Sequence, residues 1–120
     1  MSAPPPVLKI DVEHIDQACV IRAEGELDIA TAPALKDALL QAFDSRAVSI
    51  LIDLGRVSFI DSMGLRLLAW AANQSSEDGN RLRIDSGLGQ VRRLLELTSL
   101  DQRLPLIAGT NSPAPAPLSG

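Results

Sequence analysis

The chain has 120 residues, the length of one compact domain, and 46% of them are apolar although only two are Phe, one is Trp and none is Tyr, so we expect an aliphatic core. Its 15 acidic and 11 basic residues give a formal net charge of -4 without any block of Lys or Arg, which excludes the charge pattern of a nucleic-acid-binding protein. The N-terminal residues lack the pattern of a secretory signal peptide and no segment reaches about 18 continuous apolar residues, so we expect a soluble, cytoplasmic protein with no membrane contact.

Both ends of the chain are rich in proline and small residues. Such segments offer few backbone donors and little apolar bulk for a packed element. We therefore expect flexible tails at residues 1–6 and 110–120, on either side of a single domain at residues 7–109.

The domain begins with two short runs of β-branched residues, at 7–13 and 18–25. The four residues between them suit a hairpin, so we predict two antiparallel strands. Cys19 lies in the second run and is expected to be a small buried side chain, because a single cysteine cannot form an internal disulfide. His14, the only histidine, is expected at the surface in the turn.

A helix and a buried strand follow the hairpin. Thr31 is placed to accept from free backbone N–H groups as N-cap, and Pro33 suits the first turn of a helix that runs to about Phe43. The apolar residues of this helix share one stripe, which belongs on a sheet. Residues 48–54 (VSILIDL) are nearly all apolar, which predicts a central strand buried on both faces.

The second half of the domain continues the alternation of helix and strand. We predict a helix at about 62–74, a strand at 81–85, a third helix, and a short last strand at 103–109, which Pro105 places at a sheet edge. The order ββαβαβαβ predicts an α/β domain with a mixed, mostly parallel sheet of about five strands and helices packed on it.

Ser62 stands between a strand and a helix in the segment FIDSMGL, where a hydroxyl could act as a nucleophile. A nucleophile elbow needs glycine two positions before the serine as well as two after it, and Ile60 occupies the earlier position. Nothing in the sequence positions His14 as its base. Ser62 is therefore expected to cap the helix by accepting from a backbone N–H.

The sequence also predicts no cofactor or metal site. The glycines of residues 86–91 lack both the GxGxxG pattern and the Lys-Ser/Thr ending of a phosphate-binding loop. Five carboxylates without a DxDxDG-type loop are expected at solvated strand ends or caps: Glu24, Glu26, Asp28, Asp53 and Asp61. We therefore expect no enzymatic activity.

The helix at 62–74 carries two apolar stripes, one of which contains Met63, Leu67 and Trp70. A helix on one face of a sheet buries only one stripe, so the second is either covered by a neighbouring helix or exposed as a partner surface. Trp70 is of particular interest because tryptophan is common in interfaces.

Three segments resemble a known family, the bacterial anti-sigma factor antagonists of the STAS-domain type. GELDIATAPALKDAL (25–39) is similar to the family's Gly-Glu-Leu-Asp segment and first helix, and LIDLGRVSFIDSMGL (51–65) to its Asp-Ser-x-Gly-Leu turn. LGQVRRLLELTSLDQRLPL (88–106) resembles the third helix and the strand beyond it. The resemblance covers residues 7–108 and implies a STAS fold.

This resemblance implies a binding switch rather than an enzyme. In the family, an anti-sigma factor with a GHKL-type ATPase/kinase fold phosphorylates the Ser or Thr after the aspartate of the turn, and a PP2C-type phosphatase reverses it; Ser62 matches that position. The unmodified antagonist binds the anti-sigma factor and releases a sigma factor, and phosphorylation breaks the complex. The implied docking surface comprises Asp28, Asp61, Ser62, Met63, Gly64, Leu67 and Trp70. We expect a monomer without cofactors.

The chain departs from the family pattern in two places. Pro113, Pro115 and Pro117 stand where many relatives continue with a fourth helix, and Met63 and Trp70 replace smaller residues. An alternative function is a STAS regulatory or scaffold module of another complex, such as a transporter ATPase subunit or a sensory complex, acting through the same helix without reversible phosphorylation.

Overall fold

The computed structural model describes residues 7–107. Its elements, in chain order, are β1 (Leu8–Ile15), β2 (Ala18–Leu27), α1 (Ala32–Asp44), β3 (Ser49–Ile60), α2 (Ser62–Glu77), β4 (Leu82–Asp85), α3 (Gln90–Leu97) and a short 3₁₀ helix (Leu100–Gln102). The tails expected at 1–6 and 110–120 lie outside the described residues.

The four strands form one sheet in the order β1-β2-β3-β4. Strand β2 is antiparallel to β1 and parallel to β3, and β3 is parallel to β4. The predicted mixed, mostly parallel α/β sheet is therefore confirmed. The hairpin is tighter than expected, because Ile15 pairs with Ala18 and only Asp16 and Gln17 form the loop. His14 consequently lies in β1, exposed, and not in the turn.

The predicted fifth strand at 103–109 is reduced, within the described residues, to a single parallel bridge between Leu106 and Ile84. Pro105 has no N–H to donate, and the amide N–H of Leu104 donates to the carbonyl of Leu100 (3.0 Å). The amide of Leu106 likewise donates locally, to the carbonyl of Leu104 (2.8 Å). Two backbone hydrogen bonds make the bridge: the amide of Ile84 donates to the carbonyl of Pro105 (2.9 Å), and the amide of Ile107 donates to the carbonyl of Ile84 (2.9 Å). Within the described residues the pairing does not extend before Pro105, which has no N–H to offer β4.

One face of the sheet is apolar and the other is largely polar. Cys19 and Ile21 of β2 pair with Ile50 and Ile52 of β3, and all four side chains are at most 1% exposed. The alternate residues point to the opposite face, where Asp53 lies 3.9 Å from Arg22. The prediction that residues 48–54 are buried on both faces is therefore wrong, because the helices of the described chain cover one face only.

Buried residues of all three helices join the apolar side chains of the sheet in one core cluster. Fully buried members include Leu35 and Leu39 of α1, Leu68 of α2, and Leu95 of α3. The expected aliphatic core is thus confirmed. None of the helices in the described part of the chain is long and apolar enough to cross a membrane.

Candidate functional site

The site begins where β3 ends and α2 starts. Asp61 has extended backbone angles (φ -108°, ψ -172°) and is the N-cap of α2. Its Oδ1 accepts hydrogen bonds from the amides of Met63 (2.9 Å) and Gly64 (3.0 Å). The prediction that Ser62 caps the helix is therefore wrong: an N-cap needs a non-helical backbone, and Ser62 is already the first helical residue.

Ser62 is exposed at the start of α2. Within residues 7–107 its hydroxyl has no hydrogen-bond partner. The amides of Gly64 and Leu65, which a capping Ser62 would take, donate to the side chain and to the carbonyl of Asp61 instead. Ser62 thus presents a free hydroxyl to solvent.

The same described region contains no group of three or more His, Cys, Asp or Glu side chains placed to hold a metal ion.

Asp61 also joins α2 to the loop between β2 and α1. Its Oδ2 accepts from the amide of Ile29 (3.3 Å), and its own amide donates to the carbonyl of Leu27 (3.2 Å). One carboxylate therefore holds the start of α2 against residues more than thirty positions earlier in the sequence.

Asp28 organises the loop itself. Its Oδ1 accepts from the amides of Ala30 (2.9 Å) and Thr31 (3.1 Å). The Thr31 hydroxyl donates to the carbonyl of Glu26 (2.7 Å) and accepts from the amide of Asp28 (2.9 Å). Thr31 occupies the N-cap position of α1 but makes no side-chain cap bond, so the predicted capping role is wrong. The hydroxyl is engaged by the loop instead.

Gly64 and Leu67 are both buried below most of this surface. Leu67 is 7% exposed and belongs to the core cluster. A Cβ on Gly64 would lie 2.6 Å from Cγ1 of Ile60 and 2.9 Å from Cγ of Leu27, so only glycine lets α2 approach the strands this closely. These two residues support the docking surface by packing.

A groove of about 500 Å³ runs between α1 and α2. Apolar residues from both helices and from the β2–α1 loop line it, with two cations among them: Ile29, Ala32, Pro33, Lys36, Met63, Arg66, Leu67 and Trp70. Ile29 is 68% exposed, so most of its apolar side chain is open to solvent beside the groove. Ser62 precedes Arg66 by one helical turn, so the hydroxyl lies on the same side of α2 as a groove residue.

Trp70 contributes both to the groove and to the packing below it. Its ring meets that of Phe43 edge to face, with centroids 6.2 Å apart and an interplanar angle of 80°. Nζ of Lys36 lies 5.0 Å from the centroid of the same ring, within cation–π range. The second apolar stripe of α2 is therefore partly covered by α1 and partly open.

Five residues outside the predicted site line the groove, and three of them have large or long side chains: Ile29, Lys36 and Arg66. Two of them carry a spacing signal, since Lys36 follows Pro33 and Arg66 follows Met63 by three residues, one helical turn. Ile29 carries a weaker signal, as a large apolar residue in a polar loop. Only the approach of α1 to α2 brings the three together.

Comparison with known proteins identifies the family. The family model for the STAS domain matches residues 9–112. The chain is 29% identical to the anti-sigma-F factor antagonist RsfB of Mycobacterium tuberculosis, over 90% of this chain and 87% of the relative.

Two solved structures are similar in fold. An anti-sigma factor antagonist from Mycobacterium paratuberculosis has 33% identity and a TM-score of 0.73, covering 88% of this chain and 89% of that one. Bacillus SpoIIAA in its phosphorylated form has 20% identity and a TM-score of 0.65, covering 86% of this chain and 93% of that one, which shows the fold alone. Because the family model matches residues 9–112, most of the chain, the protein belongs to the STAS-domain family.

Proposed function

We propose that this protein is an anti-sigma factor antagonist whose binding is switched off by phosphorylation of Ser62. The proposal rests on the different roles of Asp61 and Ser62 at the start of α2. Asp61 caps the helix, while Ser62 keeps an exposed hydroxyl with no bond to the described fold, one residue before Met63, which lines an apolar groove. Such a hydroxyl is free to be modified without loss of structure.

The partner is an anti-sigma factor with a GHKL-type ATPase/kinase fold, which acts as both binding partner and kinase. RsfB and the Mycobacterium paratuberculosis protein are each described as anti-sigma factor antagonists, and SpoIIAA has a phosphorylated form, which supports this assignment. A PP2C-type phosphatase restores the unmodified state. The protein is a regulator that is not itself an enzyme, and it acts in the cytoplasm with its sigma factor.

In the proposed phosphorylation, the Ser62 oxygen attacks the terminal phosphorus of ATP held by the kinase. The new O–P bond replaces the bond to ADP, and the hydroxyl proton passes to a base of the kinase. The chain contributes an accessible acceptor on a rigid helix end, because Asp61 and the buried Gly64 hold that end in place.

The modification changes the charge at the docking surface. A phosphate adds about -1.5 to -2 charges near pH 7. The N-terminal dipole of α2 tolerates this charge, so the domain stays folded. A partner that covers Met63 and Trp70 must also remove water from the phosphate beside Asp61, which costs far more than covering a hydroxyl. Binding is therefore lost while folding is kept.

The seven residues expected at the docking surface divide between two roles in this proposal. Ser62, Met63 and Trp70 contact the partner, together with Ile29 from the neighbouring loop. Asp28 and Asp61 hold the two loops in register, Gly64 packs beneath the surface, and the largely buried Leu67 lines the groove.

The experiment compares binding of four forms of the full chain to purified GHKL-type anti-sigma factors from its own genome. We expect wild type and Ser62→Ala to bind alike, and Ser62→Asp and the phosphorylated wild type to bind at least about tenfold more weakly. Ser76→Asp is the matched control, because Ser76 is exposed near the other end of the same helix. Equal binding by all forms would contradict the switch and favour a STAS regulatory or scaffold module.

A further inference from the structure

Strand β1 is an open edge of the sheet. It pairs with β2 on one side, and on its other side the described residues provide no strand. Val12 of this strand is 48% exposed, and Val7 just before it is 65% exposed. An exposed edge strand with apolar side chains is a template for pairing with another strand.

The backbone groups at this edge can be assigned from the hairpin. A two-residue loop makes the flanking pair, Ile15 and Ala18, a hydrogen-bonded pair. Alternate residues of an antiparallel strand point their N–H and C=O groups to opposite sides. Leu8, Ile10 and Val12 therefore direct their backbone donors and acceptors away from β2, toward the open edge.

We propose that β1 pairs antiparallel with β1 of a second copy of this chain, about a two-fold axis at Ile10, which continues the sheet from one copy into the other. This replaces the monomer expected by default and does not depend on the proposed function. The segment LKIDV (8–12) is self-complementary about its centre. Leu8 faces Val12 of the other copy, Lys9 faces Asp11, and Ile10 faces Ile10, so each apolar residue meets an apolar one and each charge its opposite.

The neighbouring strand extends this charge match. Within one chain, Lys9 lies opposite Glu24 and Asp11 lies opposite Arg22, whose other β-sheet neighbour is Asp53. One row of side chains on the polar face therefore crosses the proposed dimer. It consists of Glu24 and Lys9 of one copy followed by Asp11, Arg22 and Asp53 of the other. The signs alternate along the whole row, and the two-fold axis repeats the row.

Other antiparallel registers are less favourable. A shift that centres the pairing on Asp11 places the two Asp11 carboxylates opposite each other, and a further shift places Asp11 opposite Glu13. Like charges directly opposite each other are destabilising. Charge therefore selects the register centred on Ile10.

The pairing leaves the groove open, because no residue of β1 lines it. Two strands joined along one edge bury less surface than a standard interface, so we expect a weak dimer that forms as the concentration rises. Each copy can still present Ser62 and Trp70 to a partner.

The test is a charge-swap mixing experiment on the full chain, followed by sedimentation velocity over a range of concentrations. Alone, Lys9→Glu places a carboxylate opposite Asp11 of the second copy, and Asp11→Lys places an ammonium group opposite Lys9. We therefore expect each variant to self-associate about tenfold more weakly than wild type. In an equal mixture, the introduced carboxylate of one variant faces the introduced ammonium group of the other, and the unchanged Asp11 faces the unchanged Lys9. We expect association to return.

Arg46→Glu is the matched control, because it makes the same change in charge as Lys9→Glu at an exposed site outside β1 and should dimerise like wild type. Thermal unfolding of each variant checks that the fold is kept. A wild type that stays monomeric at the highest soluble concentration would overturn the proposal and leave the edge to another occupant. Equal weakening by Arg46→Glu, or no recovery in the mixture, would also overturn it.

Discussion

At the scale of single residues, Asp61 and Ser62 are adjacent but have separate tasks. Asp61 bonds three backbone amides, two in α2 and one in the β2–α1 loop, whereas Ser62 bonds none of the described groups. A hydroxyl that capped the helix could not be modified without disturbing the cap. Because a carboxylate has taken that role, the hydroxyl is available for chemistry.

This difference predicts unequal effects on stability. Asp61→Ala removes the cap of α2 and the link to Ile29, so we expect it to lower the free energy of unfolding by about 1 to 2 kcal/mol. Ser62→Ala should change it by less than about 0.5 kcal/mol, because it removes no bond. Urea unfolding of both variants measures the two values, and equal losses would contradict the assignment of the cap.

At the scale of elements, α1 and α2 meet through one aromatic contact at the end of the groove. Trp70 packs edge to face on Phe43 and beneath Lys36, and it is one of the partly buried residues that pack against the core cluster. The groove wall is therefore also a structural contact between the two helices. A partner that docks there meets a surface already held rigid.

We expect Trp70→Ala to lower the free energy of unfolding by about 2 kcal/mol, less than for a fully buried aromatic residue because part of the ring is open. Leu97→Ala is the control: Leu97 is apolar but 75% exposed, so its loss should cost less than about 0.5 kcal/mol. Denaturant unfolding measures the loss in free energy of unfolding for both variants. A loss for Trp70→Ala as small as that for Leu97→Ala would show that the Trp70 ring contributes little to packing.

At the scale of the whole molecule, residues 7–107 form a sheet whose one face is covered by helices while no described element covers the other. Cys19 lies in the covered face at 1% exposure, and its burial raises the pKa of the thiol. In the unfolded chain the same thiol returns to its ordinary pKa. The folded state therefore holds its proton at a pH where the unfolded state loses it.

Below the ordinary thiol pKa the thiol is protonated in both the folded and the unfolded chain, so it does not change stability with pH. As the pH rises above that pKa, the thiol ionises in the unfolded chain first, which favours unfolding and lowers the free energy of unfolding. We expect wild type to lose more stability than Cys19→Ala between neutral pH and about pH 9.5. Urea unfolding of both proteins across that range gives the comparison, and parallel curves would contradict it.

The sequence predicted the elements better than their limits. The hairpin, the three helices and the central strand follow from apolar periodicity, which is a local property. The predicted fifth strand is reduced to one bridge within the described residues, because Pro105 has no N–H for β4 and the chain before it is bonded in a turn, where the amide of Leu104 donates to the carbonyl of Leu100. The cap of α2 was misplaced by one residue, since the backbone angles of Asp61 and Ser62 cannot be read from their side chains.

By itself the sequence determined the order of strands and helices and the place of Ser62 at a strand-to-helix junction, because periodicity and short motifs depend on residues close together in the chain. Only the structure decided that Asp61 and not Ser62 caps α2, and which residues form the groove next to Ser62. Asp61 reaches Ile29, and Lys36 reaches Trp70, across more than thirty positions, and such contacts exist only after the sheet has set the spacing of its helices.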